Sequence, residues 1–133
     1  TRTLVVAGQL FLAGALAWIA TITTTTVHYS SYVLPFLLAG VGMGLTFAPA
    51  ATVVMAAADP VDQGMASGTN NTIRQVGIAM GVAILASVFS SSGSYADAAA
   101  FVDGIVPATY TGAGVVAVGA LAALLLPGRR APE

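Results

Sequence analysis

The sequence predicts an all-α integral membrane protein with four transmembrane helices. Three observations carry this. Of 133 residues, 57% are hydrophobic and 7% charged, with a mean hydropathy of +0.91, whereas an ordinary soluble domain is about 25% charged. The apolar residues gather into runs of bilayer-spanning length, about 20 residues for a hydrocarbon core of about 30 Å. Short polar or proline-containing segments separate those runs. Intrinsic disorder is excluded, since it requires low hydrophobicity and high net charge. A net charge of −1 without a single lysine gives no electrostatic footprint for nucleic acid.

The four spans are expected at about 4–22, 33–57, 67–89 and 110–126. The first holds one strongly polar residue, Gln9. The run TTTTVHYSSY (23–32) ends it, with Tyr29 and Tyr32 placed as interfacial aromatics. An apolar run plus Arg2 invites a signal-peptide reading, but the run is longer than a typical h-region and no A-x-A site follows it. The second span is charge-free and long enough to cross with tilt; Asp59-Pro60 ends it. Pro49 lies inside it and frees the carbonyl of Leu45, so a kink is expected there, with Thr46 available to bond the freed backbone groups.

The third span is apolar only over 76–89 and must borrow 67–75 to cross. With Asp59 as N-cap, Pro60 at the first helical position and Asp62 in the first turn, one helix from about 60 to 89 is preferred over a re-entrant segment. The fourth span closes at Pro127-Gly128, ahead of Arg129-Arg130. The stretch 90–109 reads as an outer loop holding Asp97 and Asp103. Arg2, Arg74, Arg129 and Arg130 are all the basic residues. Four spans put both termini and the 58–66 loop on one side, and the positive-inside rule makes that side cytoplasmic, in a multi-pass plasma or inner membrane protein.

Between helices in lipid there is no hydrophobic force, so small residues and shared polar groups drive association. Gly40 and Gly44 form one G-x-x-x-G, with Gly42 between them; Gly77 and Gly81 form another. These suit helix packing, or a smooth wall along a substrate path. Met43 and Phe47 lie one turn apart and could present soft and aromatic surface to an apolar ligand, or simply to lipid. On the third span Gln63, Ser67, Asn70, Asn71, Arg74, Gly77 and Gly81 recur at spacings of three and four, making one polar-to-small stripe. Thr69, Ile73, Val76, Met80 and Ile84 form the other face. The stripe should face protein or water, with Asp59 and Asp62 as candidate partners for Arg74.

No enzyme chemistry is expected. G-x-S-x-G, phosphate loops and paired intramembrane carboxylates are absent. His28 is the single histidine and there is no cysteine, so neither a metal site nor a cofactor is expected.

The stretches GVGMGLTFAPA (40–50), ADP (58–60) and QGMASGTNNTIRQVGIAMGVA (63–83) resemble the C-terminal part of a major facilitator superfamily transporter, most of all the fourteen-helix drug:proton antiporter group. Gly64, Ala66, Ser67, Gly68, Asn71, Arg74, Gln75 and Gly77 carry the likeness. It covers nearly the whole chain, which would then be the last four helices of a protein several times longer; a start at Thr1 rather than Met agrees with a fragment. The resemblance implies that 1–133 is a C-terminal transmembrane portion. Its second span would line the cavity, its third would lie at the interface between two halves, and the first and fourth would be peripheral supports.

The implied activity is proton-coupled export of amphipathic small molecules by alternating access. Met43, Phe47, Asn71, Arg74 and Gln75 are the expected path or interface residues. Gly40, Gly44, Pro49, Gly77 and Gly81 are the expected packing or kink residues. The implied partners are the bilayer, the N-terminal helices of the same transporter, substrate and protons. A titrating group would have to come from those other helices, as would the family's glycine-proline antiporter motif. The competing expectation is a small structural or oligomer-forming membrane protein without transport activity.

Overall fold

The computed structural model describes residues 2–125 and is all-helical over them. Four helices follow in order: α1 (Arg2–Ile22), α2 (Ser30–Ala57), α3 (Gln63–Ser92) and α4 (Ala98–Leu124). Each is long and apolar enough to cross a membrane. At 1.5 Å per residue they measure about 31, 42, 45 and 40 Å. The last three exceed the hydrocarbon core, so they tilt or stand out into the interfaces. Pro127, Gly128, Arg129 and Arg130, on which the closing of the fourth span and part of the orientation argument rest, lie outside the described residues, as do Thr1, Leu126 and Glu133.

Two boundaries differ from the sequence expectation. Helix α4 begins at Ala98 rather than near 110, because Asp97 caps it: its side chain accepts a hydrogen bond from the Ala100 amide at 2.7 Å. Pro107 then sits inside a continuous helix. Most of the expected outer loop is therefore helical, and Asp103 lies about 9 Å beyond the cap on an exposed surface rather than in a loop. Helix α3 begins at Gln63 rather than Pro60. Asp59 and Pro60 form a turn instead, closed by the Asp62 amide donating to the Asp59 carbonyl at 2.8 Å. Asp62 holds the N-cap position without a side-chain cap bond. At its far end α3 runs through Ser92, so the serines expected in a loop form its last turn.

Short connections make sequence neighbours antiparallel, yet the packing is uneven. Helix α1 packs along both α2 and α4, α3 leans on α4, and α2 and α3 touch only lightly. The buried positions are nearly all small: Gly8, Ala15 and Ala20 on α1, Gly42 on α2, and Gly104, Ala108, Ala113, Ala120 and Ala123 on α4. Phe89 and Pro35 are the bulky exceptions. In lipid this is the expected economy, since close backbone approach, not burial of large apolar groups, holds helices together.

Backbones come nearest where Gly93 meets Gly104; between α1 and α2 the close pair is Gly8 and Gly42. A Cβ on Gly42 would stand 2.7 Å from the Gly8 carbonyl oxygen and 2.8 Å from the Leu12 nitrogen; one on Gly8 would stand 2.7 Å from the Gly42 oxygen. These three obstacles are backbone and cannot step aside. Thr46 donates to that same Gly42 carbonyl at 2.8 Å, and not to the Leu45 carbonyl that Pro49 frees. Gly40, Gly44, Gly77 and Gly81 meet nothing within 4 Å, so neither G-x-x-x-G makes its contacts within these four helices. Where α1 hands over to α2, the Tyr32 hydroxyl donates to Thr23 Oγ1 at 3.1 Å and its ring packs on Phe36.

Gly42→Ala should therefore cost about 1–3 kcal/mol, the usual range for overpacking, and lower the thermal unfolding midpoint of detergent-solubilised protein. Gly44→Ala, two residues away and unobstructed, should leave that midpoint unchanged.

Candidate functional site

The light contact between α2 and α3 leaves a groove at the end of the bundle that carries residues 58–62. Val54 of α2 faces Met65, Ala66, Thr69, Asn70 and Ile73 of α3 across a hollow of about 410 Å³, with Asp62 at its mouth. Helical spacing explains the mixture. Asn70 belongs to the polar stripe, whereas Thr69 and Ile73 come from the face opposite it. The edge between the two faces, rather than the centre of the stripe, is turned to α2.

One turn past Asn70, the guanidinium carbon of Arg74 lies 5.7 Å from the centroid of the Phe47 ring. That is cation–π distance. The structure thus joins two of the expected path residues across α2 and α3. Arg74 makes no ion pair with Asp59 or Asp62 among the described residues; Asp62 lies twelve residues earlier, about 18 Å along the helix. Met43, one turn before Phe47, is half-exposed. Asn71 and Gln75 are exposed on α3, and neither takes a side-chain hydrogen bond among the described residues. Gly40 and Gly44 on α2, and Gly77 on α3, add no side chain to this region and meet no neighbour. Pro49 lies between Phe47 and Val54 within an unbroken helix.

Depth sets the energetics. Arg74 is about 17 Å into a helix of about 45 Å, inside the hydrocarbon layer if the helix is centred on it. An arginine at the centre of a spanning helix costs about 2.5–3.5 kcal/mol on insertion scales. A cation–π contact returns about 0.5–2 kcal/mol. The ring offsets part of that cost, and the rest falls to snorkelling, water, an anion or neighbouring helices.

A second hollow, of about 500 Å³, lies at the opposite end between α3 and α4, with Leu16 of α1 at its floor. Phe89, Tyr95 and Phe101 ring it and stack on one another at 5.0, 5.4 and 6.0 Å. Sequence reasoning missed this cluster because 90–109 reads as a loop. The signal available was Asp97 directly before an alanine run, a helix start.

No protein-family model matches the chain, and no solved structure does. The fold defines a multi-pass helical membrane protein. Among curated proteins, the chain is similar to the cephamycin export protein CmcT of Amycolatopsis lactamdurans, with 37% identity over 100 residues. The match takes in 74% of this chain and 21% of that protein; the chain spans about a fifth of its relative's length.

If the Arg74–Phe47 contact holds α2 to α3, Phe47→Leu and Arg74→Gln should be non-additive. A double-mutant cycle on thermal or denaturant unfolding should return a coupling of about 0.5–2 kcal/mol. Strictly additive losses would mean the contact contributes nothing.

Proposed function

We propose that this chain is the C-terminal part of a proton-coupled efflux transporter of the major facilitator superfamily, exporting amphipathic small molecules by alternating access. The observation that carries this reading is the opening between α2 and α3. These helices are consecutive and joined by only five residues, 58–62, yet they scarcely pack, and the polar stripe borders the gap. A bundle built only for its own stability would close that seam. Left open, it would leave Phe47 and Arg74, which meet beside it, and Met43, Asn71 and Gln75 on the same two helices for a substrate path or for the other half of a transporter. The similarity to an export protein supports the same reading.

The remaining parts fit around it. The bare glycine faces at Gly40, Gly44, Gly77 and Gly81 would receive helices of the other half. Pro49 would let the 58–62 end of α2 bend. The proton-carrying carboxylate would come from other helices, since α1, α2 and α3 contain none and α4 brings only Asp103, exposed near the end away from the groove. The arginine pattern puts the 58–62 connection and both termini in the cytoplasm of a cell-membrane protein. The same unfilled glycine faces would also serve a structural, oligomer-forming membrane protein, which is the second reading.

In the complete natural protein, Arg74→Ala should reduce drug export at equal expression while leaving membrane insertion intact; wild-type export would remove Arg74 from the mechanism. Residues 1–133 contain no cysteine, so a thiol introduced there is read against the unsubstituted protein as background. A thiol at Val61 (Val61→Cys) should react only from the cytoplasmic side, and one at Tyr95 (Tyr95→Cys) only from outside.

A further inference from the structure

Arg74 stands without a counter-ion among the described residues. Among the described residues α2 holds no charge and α3 holds no charge other than Arg74. The nearest acid on the groove is Asp62, three turns away at its mouth. Of the other two helices, α1 brings only Arg2 at its first residue and α4 only Asp103 at its opposite end. The guanidinium carbon of Arg74 lies over the Phe47 ring, and among the described residues the guanidinium donates no hydrogen bond. Its N–H groups form the planar fork that matches an oxyanion with two parallel hydrogen bonds. Asn70 lines the groove one turn away, and Asn71 and Gln75 flank Arg74 in sequence, so amide donors accompany the cation. From Ile73 toward the 58–62 end, Met65 and Val54 supply the apolar wall of the groove, which Arg74 and Phe47 adjoin in sequence but do not line.

We propose that Arg74 and Phe47 together form an oxyanion subsite, taking a carboxylate or phosphate group carried on an apolar or aromatic body. This rests on the export reading and narrows it: the transported class is amphipathic organic anions, with the anionic group on Arg74 and the apolar body along Phe47 and the groove. Asp62 at the mouth disfavours an anion resting there, so the anion is held at Arg74 rather than at the entrance.

The test is equilibrium binding to the complete natural protein in phosphatidylcholine nanodiscs, with pyrenebutyrate, its neutral methyl ester and pyrenebutylamine as probes. Pyrenebutyrate should bind best. Arg74→Gln should weaken it by about tenfold and leave the ester and the amine unchanged; Arg74→Lys, retaining charge but not the fork, should fall between. Equal affinity for the amine, or an Arg74→Gln variant that binds pyrenebutyrate as well as wild type, would overturn the assignment. A lipid source is read separately, by exchanging in phosphatidylglycerol. Arg74-dependent retention of that lipid without Arg74-dependent pyrenebutyrate binding would put a headgroup on the site and overturn the small-molecule assignment. Binding is read without transport, so the two readings fail apart. Anion binding without export would sink the export reading alone; export confined to neutral and cationic amphiphiles would sink this one alone.

Discussion

The approach of Gly8 to Gly42 is the contact on which the bundle depends. Hydrocarbon gives no reward for burying leucine against leucine, so the helices must get close enough for backbone atoms to touch. Two glycines and a threonine bonded to the same carbonyl achieve that for α1 and α2. Alanines do the equivalent between α1 and α4. Helix α1 thereby becomes the element that organises the rest. Most of the large apolar side chains, Phe89 and Val5 apart, lie on the outside, where lipid solvates them.

That allocation leaves α3 apart. It owes its position to α4, is nearly free of α2, and carries the polar residues that would be most costly to leave facing acyl chains. A helix with such a side and so few contacts is incompletely partnered within these 124 described positions (2–125). The Arg74–Phe47 contact is the one directional interaction reaching from it toward α2, and it compensates only part of what the guanidinium loses on leaving water.

Much of this was legible from residue order. The four apolar runs and the polar stripe on α3 follow from length and 3.6-residue spacing, whereas the meeting of Phe47 with Arg74 does not: the sequence offered Asp59 and Asp62 as partners of Arg74 instead. The failures have physical causes. Pro107, Gly104 and Asp103 look like loop residues, but Asp97 caps the helix before them and lipid-facing helices tolerate proline. Asp59 looks like a cap, but the chain turns once more before α3 starts. The glycines are the instructive case. A motif search selects Gly40 and Gly44, while the contact is made by Gly42 between them, because facing geometry and not spacing decides which glycine meets a neighbour. Which side of α3 meets α2 was equally hidden, since a stripe fixes a direction around one helix and says nothing of the adjacent one.

The aromatic trio of Phe89, Tyr95 and Phe101, with Gly93 seated against Gly104, fastens the Phe89 end of α3 to α4. Mechanically that is a lever clamped at its root. Arg74 lies fifteen residues from Phe89, a radius of about 22 Å. A swing of about 10° about the clamp therefore carries the guanidinium about 4 Å, enough to lift it off the ring while scarcely disturbing the fastened end.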